Sequence, residues 1–390
     1  MSALPALMQR ADDFASLRRD IHAHPELGLV EHRTAALVAE QLASWGIDVH
    51  AGVGGTGVVG VLRAGNGSGS IGLRADMDAL PIHEASGAAW SSTTPGLMHA
   101  CGHDGHTTML LAAAHHLAQT RAFNGTVTFI FQPGEEGCGG ALAMLRDGLF
   151  DRFPCDTIYG LHNQPGMAVG QYRMTPGPAM AGGGFFDVTL TGRGAHAARP
   201  EAGIDPVPAV CQVVSALQSI VSRSIAPDDP VVVSITKLGA GNAHNVIPQT
   251  ASFGGTFRCM KRETLALVRA RLEEMTCRIA EGFGTTASVT FGEMFAPLVN
   301  TPALSAFAAD AASAIVGAGA VDADAPPVMG SEDFAFMLEQ VPGAFIRVGN
   351  GDSAGLHHPA YDFNDAATPY GSALLVELVE RSLPRGTIAA

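Results

Sequence analysis

The chain has 390 residues, 47% of them hydrophobic, and a formal net charge of -14. That length suits two or three domains with an ample core. The acidic balance argues against nucleic acid, which wants a basic face, and against a polybasic membrane anchor. No apolar run reaches the ~18 residues that span a bilayer. The N-terminus lacks the basic-then-apolar order of a signal peptide, so a cytoplasmic location is expected. The six cysteines (Cys101, Cys138, Cys155, Cys211, Cys259 and Cys277) form no CxxC pair and read as thiols.

Helical apolar spacing runs over 12–23 and 34–45, stopping at Gly46. Short β-type runs follow at 47–50, 58–62 and 71–75, with a Gly/Ser loop at 65–70. An Ala-rich helix is predicted over 106–119, a buried strand over 126–132, a helix over 140–149 and a strand over 157–161. Strands alternating with helices predict an α/β domain with a mixed, largely parallel sheet. The Pro/Gly-rich stretch 174–184 reads as a linker. Beyond it the order is strand 186–191, helix 206–221, strands 231–236 and 251–257, helix 263–283 and strand 288–291. That β-α-β-β-α-β order is ferredoxin-like. The α/β pattern then resumes with helices 303–316 and 332–339, strand 344–348 and helix 366–382. The division expected is a catalytic domain of 1–180 plus 293–390, interrupted by a smaller inserted lid or dimerisation domain at 181–292.

The densest polar cluster is MHACGHDGH, Met98 to His106. In an extended segment, Cys101 and His103 would project to one face, and a thiolate with an imidazole suits zinc, manganese or cobalt-type ions. A buried thiol beside helix-capping residues is the plainer alternative. QPGEEG (Gln132 to Gly137) places two adjacent glutamates just after a buried strand, where α/β sheets keep their active sites. Like charges so close call for a cation, although two solvated turn glutamates would read the same. His162 lies near another strand end, and His357-His358 follows the last strand. Each histidine alone is more often structural than a ligand. It is the recurrence at successive strand ends that points to a metal centre.

Together, RRDIHAHPELG, RADMDALPI, MHACGHDGH, QPGEEG, GLHNQPG, GRGAHAARP, NVIP, GTFR, GSEDF and the HHP element make the chain resemble the M20 metallopeptidase family. Within it, the sequence is similar to the amidohydrolase branch that holds hippurate hydrolases, N-acyl-amino-acid amidohydrolases and auxin-conjugate hydrolases. The resemblance covers nearly the whole chain. It implies two divalent metal ions per subunit (Mn, Zn, Co or Ni), bridged by Cys101. His103 and His162 would hold one ion, Glu136 and His357 the other. It further implies Glu135 as general base, His196 as oxyanion partner, and Asn245 and Arg258 as ligands of the substrate carboxylate. Without the resemblance, His196 reads as a turn histidine and Arg258 as a surface charge. Asp78 falls where the family keeps an aspartate beside a metal-binding histidine, and that histidine position is Asp76 here.

The implied reaction is hydrolysis of an N-acyl amino acid, with dipeptidase or carboxypeptidase activity at the same site as the alternative. Also implied is a homodimer through the inserted domain, or a larger homo-oligomer. Two motifs point elsewhere. GVGGTG (Gly52 to Gly57) matches a dinucleotide-binding pattern but precedes a β-run, not a helix, so a hairpin turn is expected. GDSAG (Gly351 to Gly355) matches a serine-hydrolase elbow with Ser353 as nucleophile, but Pro359 makes a poor following helix. A catalytically dead binding module on the same scaffold is the non-enzymatic alternative.

Overall fold

The computed structural model describes residues 2–385. They form two compact units. The first comprises Met1–Gly177, Val299–Pro326 and Asp333–Ala390, of which 2–385 are described; the second comprises Pro178–Leu298 and Pro327–Glu332.

In the first unit an eight-stranded sheet has at its centre four neighbouring strands, Gly125–Gln132, Ser70–Asp76, Thr157–Pro165 and Gly343–Gly351. Each is parallel to the next. Buried on both faces, such strands read as continuous apolar runs, as TVTFIFQ does. Their carboxyl ends therefore face one way and carry Asp76, Gln132 and the chain leading to His357. Antiparallel strands Gly57–Ala64 and Asp48–Val53 extend one side. These two form a hairpin, so GVGGTG is its turn and opens no helix. The helix His103–Thr120 packs against Ala11–Ala23, Thr368–Ser382 and the strand Ser70–Asp76. It is buried on nearly every face, which explains why its apolar pattern shows little amphipathic bias. Truncating Leu110 or Leu111 there to Ala would cost roughly 2–5 kcal/mol.

Two helix expectations are corrected. The one at 140–149 is split into Gly140–Arg146 and Leu149–Arg152, because Gly148 takes a left-handed φ of 78° that ends the first turn. The one at 332–339 shrinks to Phe334–Leu338. Its start is held back because the Asp333 carboxylate is engaged by Gln132 and by the backbone N–H of Ala141.

The second unit is an antiparallel sheet ordered Val231–Ala240, Thr250–Cys259, Gly182–Thr191, Thr286–Phe295, with helices Pro206–Leu217 and Arg262–Gly282. That is the ferredoxin-like β-α-β-β-α-β order. Burial alternates along Gly182–Thr191, so Phe186, Val188 and Leu190 face the helices while Phe185 and Asp187 face out. The linker expected at 174–184 is corrected: most of it is strand, in Tyr172–Met174, Gly177–Met180 and the start of Gly182–Thr191. Its glycines serve close approach rather than flexibility. Gly183 lies opposite Arg258, and a Cβ there would fall 2.0 Å from Phe257 O and 3.0 Å from Arg258 Nη1.

Candidate metal centre

The cluster begins where the strand Ser70–Asp76 and the helix His103–Thr120 meet. Cys101 and His103 do not lie on an extended segment, the case in which strand alternation would put them on one face. Gly102 sits between them at φ 90° and caps the helix in the left-handed region, where only glycine is at ease. A Cβ at Gly102 would also lie 2.6 Å from both Asn163 Oδ1 and Tyr361 Oη. This turn, rather than strand alternation, brings the thiol and the imidazole together.

Among the groups of side chains that share members here, three join the expected ligands. Cys101, His103 and His162 form one, Cys101, Glu136 and His357 a second, and His103, Glu135 and Glu136 a third; within each, the donor atoms lie within 4.8 Å of one another. Cys101 Sγ is 3.4 Å from His162 Nε2, and His357 Nε2 is 3.0 Å from Glu136 Oε1. His357 adopts φ 63°, a left-handed conformation uncommon outside glycine. Its N–H donates to Ala100 O at 2.8 Å, tying the HHP loop to the Cys101 segment. His358 instead accepts from the N–H of Ala360 in its own loop.

Asp78 braces this cluster. One oxygen meets His103 Nδ1 at 3.1 Å, and the other accepts the Glu136 N–H at 2.9 Å. A carboxylate on Nδ1 fixes the tautomer that leaves Nε2 as a metal donor. His103 Nε2 is buried, 3.7 Å from Asp76 Oδ2 and without a hydrogen-bond partner; once it has given up its proton it offers a lone pair that a cation would satisfy. Burial pushes the Cys101 thiol well above its ordinary range, with Glu136 and Glu135 adding to the rise against the opposing pull of His103. A thiolate here therefore needs a cation. Burial and the imidazole of His106 push His162 well below the usual range, keeping it a neutral donor. One thiolate, three imidazoles and a carboxylate suit zinc, manganese, cobalt or nickel. The residues present thus fit a pair of divalent ions.

Sequence reasoning missed much of what holds these groups. His106 lies between Asp76 (2.6 Å) and Asn163 (2.7 Å). Its i,i+3 spacing from His103 on a helix was the available signal. Burial works against the charge of Asp76, but His103, Arg74 and His106 overcome it and hold the carboxylate well below its usual range. Arg74, fully buried, spans Gln132, Asp76 and Asp333 at 2.8, 2.8 and 3.2 Å. It therefore clamps the ends of two central strands. Glu31 accepts from the N–H of Gly134 at 2.8 Å and anchors the turn before Glu135. On the other side of the helix start, Asp104 accepts from Arg18 and His22 at 3.3 and 2.8 Å, and His22 also meets Glu84 at 3.3 Å.

The remaining expected residues lie in the second unit. The two-residue strands Ala195–His196 and Val246–Ile247 pair, and Ala197 N–H donates to Asn245 O at 3.0 Å. They line an open recess of about 780 Å³ that also includes Thr250. His196 is exposed, and its Nδ1 accepts from Ala198 N–H, so in the neutral ring Nε2 carries the proton. Arg258 lies elsewhere, at the far end of Thr250–Cys259. Pairing with Gly182–Thr191 runs from Thr250 to Cys259 without a register shift. The eight residue steps from Thr250 to Arg258 thus span about 27 Å at ~3.4 Å each. Ser353 is in a loop, donating to Ala354 O and accepting from Asn350 Nδ2, with no α-helix directly after it. No described helix is long and apolar enough to cross a membrane.

Residues 72–381 match Peptidase family M20/M25/M40. The chain is 39% identical over 365 residues to the hippurate hydrolase of Campylobacter jejuni, covering 94% of this chain and 95% of that protein. It is 37% identical to the N-acetyl-L-cysteine deacetylase of Bacillus subtilis, over 94% and 87% of the two chains. Its fold is similar to the crystal structure of the Bacillus subtilis YXEP protein, a dinuclear metal binding peptidase of family M20. The TM-score is 0.83 at 32% identity, over 96% of this chain and 99% of that one.

Proposed function

Because the chain belongs to Peptidase family M20/M25/M40, we propose that it is a metal-dependent amidohydrolase that splits N-acyl amino acids into a carboxylic acid and a free amino acid. The observation that carries this reading is the sharing of the buried Cys101 between two ligand groups, joined to the dinuclear centre of the Bacillus subtilis relative and the substrates named for the hydrolase and deacetylase.

Cys101 would be shared between two ions, with His103 and His162 holding one and Glu136 and His357 the other. When bound, the ions supply Lewis acidity to the amide carbonyl and to the attacking water. Glu135 takes the proton of that water and delivers it to the departing amine. Asp78 keeps His103 in the donor tautomer. His196 donates its Nε2–H to the carbonyl oxygen as charge develops there. Arg258 and Asn245 bind the substrate carboxylate.

Spacing within the second unit supports a homodimer with shared sites. A dipeptide-sized substrate spans only about 7 Å of backbone, far short of the distance from Arg258 to the recess of His196 and Asn245. One molecule cannot touch all three within a single protomer, so a second copy supplies His196 and Asn245. The edge strand Val231–Ala240, with Leu238 59% exposed, is a surface on which such pairing can occur.

The test is removal of metal. Dialysis against a chelator should abolish hydrolysis of N-benzoyl and N-acetyl amino acids, and manganese, cobalt, nickel or zinc should restore it. Full activity in protein shown metal-free by elemental analysis would overturn the reading.

A further inference from the structure

On the sheet of the second unit, Arg258 is placed between two exposed apolar side chains. Val232 stands directly opposite it on one neighbouring strand. On the other, Gly183 is opposite Arg258 and Phe185 is opposite Thr256. Residues paired across a ladder share a face, so Val232, Arg258 and Phe185 all lie on the face that the helices leave open. Gly183 matters to this layout. A Cβ there would lie 2.9 Å from Arg258 Cδ and 3.0 Å from Nη1. The missing side chain is what lets the guanidinium fold across the strand toward Phe185, whose ring centre is 5.5 Å from Arg258 Cζ.

The hydrogen bonds of Arg258 go to neutral oxygens: Gly184 O at 3.4 Å, Thr256 Oγ1 at 2.6 Å and Phe257 O at 2.9 Å. Among the described residues no carboxylate pairs with it, and burial lowers rather than raises its pKa. Phe185 is 52% exposed and Val232 40%. A fixed, anion-seeking cation with an aromatic ring on one side and a branched aliphatic on the other matches a ligand that is anionic at one atom and apolar at the next.

We propose that Phe185, together with Val232, is a specificity-determining residue that selects N-acyl amino acids with an aromatic or large aliphatic side chain. This rests on the reading of Arg258 as the partner of the substrate carboxylate. Carboxylate and side chain share one Cα, so the side chain begins only about 2.5 Å from the carboxylate carbon. A carboxylate on Arg258 therefore brings that side chain to the ring of Phe185, where aromatic pairs gain by offset or edge contact. The acyl half starts beyond the amide nitrogen, so changes in the amino-acid half probe the ring more directly.

The experiment compares metal-loaded wild type, Phe185→Ala and Phe185→Leu on the N-benzoyl derivatives of phenylalanine, leucine and glycine. Wild type should prefer phenylalanine and leucine to glycine in kcat/KM. Phe185→Ala should reduce the phenylalanine-to-glycine preference about tenfold, mostly through KM, a change of the size expected for one aromatic contact. Phe185→Leu should keep more of the leucine preference than of the phenylalanine preference. Because the ring is exposed, the variants should melt like wild type. An equal loss on all three substrates in Phe185→Ala, or a wild type that prefers glycine, would overturn the assignment. If wild type cleaves none of the three, the proposed activity itself fails, an outcome distinct from cleavage without selectivity.

Discussion

In the first unit, Cys101, His103 and Glu135 are buried, and His103 is oriented by Asp78, which also holds the Glu136 backbone. In the second unit, His196 and Asn245 are exposed on a two-residue ladder, and Arg258 is half-buried at the far end of a strand. The difference fits the roles proposed for the two regions. Groups that hold a cation are costly to bury and crowd together, so they need a fixed frame that orients them and a cation that offsets their charge. Groups that meet a substrate must stay open, so their order comes from the sheet beneath them and is completed by the ligand.

If that contrast is right, changes in the first unit should have the larger and more separable effects. Glu135→Gln should cost on the order of 10²–10⁴-fold in turnover, the usual worth of a positioned acid/base, with metal content unchanged. Its neighbour Glu136→Gln should lose metal. Equal metal loss in the two, measured by elemental analysis, would erase the distinction between base and ligand.

A brace should matter less than a ligand but more than a surface charge. Asp78→Ala is expected to weaken metal binding about 10–100-fold, the range found for carboxylates that orient a metal-bound histidine. Titration with a competing chelator reads this directly, and an unchanged affinity would mean that burial alone orients His103.

For the second unit the sharper test is sharing. His196→Ala and Glu135→Gln subunits, each nearly inactive, should recover about a quarter of wild-type activity when refolded together. Random pairing makes about half the dimers mixed, and each mixed dimer has one intact site of two. Hybrid dimers as inactive as their parents would place His196 in its own protomer.

The smallest effect concerns the charged pairs behind the metal segment. Burial opposes the charge of His22, but Asp104 and Glu84 more than offset it and raise His22 to about 9. Its folded pKa thus exceeds its unfolded value of about 6.5. The stability it contributes is full below pH 6.5 and is lost as pH rises through 9. The urea midpoint of wild type should accordingly fall between these values relative to His22→Asn. Parallel curves would show that His22 is neutral in the folded enzyme.

Much of this arrangement was legible in the sequence, for reasons that also mark where legibility ended. Cys101, His103, Glu135, Glu136 and His162 sit in short motifs at strand and helix ends, so local pattern was enough to nominate them. The positions of Arg74 and Arg18 were not readable, because their partners Asp333, Asp362 and Asp365 come from distant segments. The Gly/Pro stretch 174–184 looked like a linker because composition does not distinguish a flexible glycine from one that makes room for Arg258. The choice of His357 over His358 rests on the resemblance; the contact of His357 with Glu136 and the turn made by His358 within its own loop support it.

The order of strands in the first sheet has a consequence for how the chain is made. The strand Gly343–Gly351 pairs with Thr157–Pro165, yet the entire second unit is translated between them. Until the last strand emerges from the ribosome, Thr157–Pro165 presents an open edge, a template for pairing with other nascent chains. Cys101, His103, Glu136 and His162 are already synthesised by then, whereas His357 follows the strand that closes the sheet. Completion of the proposed ligand set and closure of the sheet would therefore be one late event in biosynthesis, and a chain cut short before residue 343 would lack both.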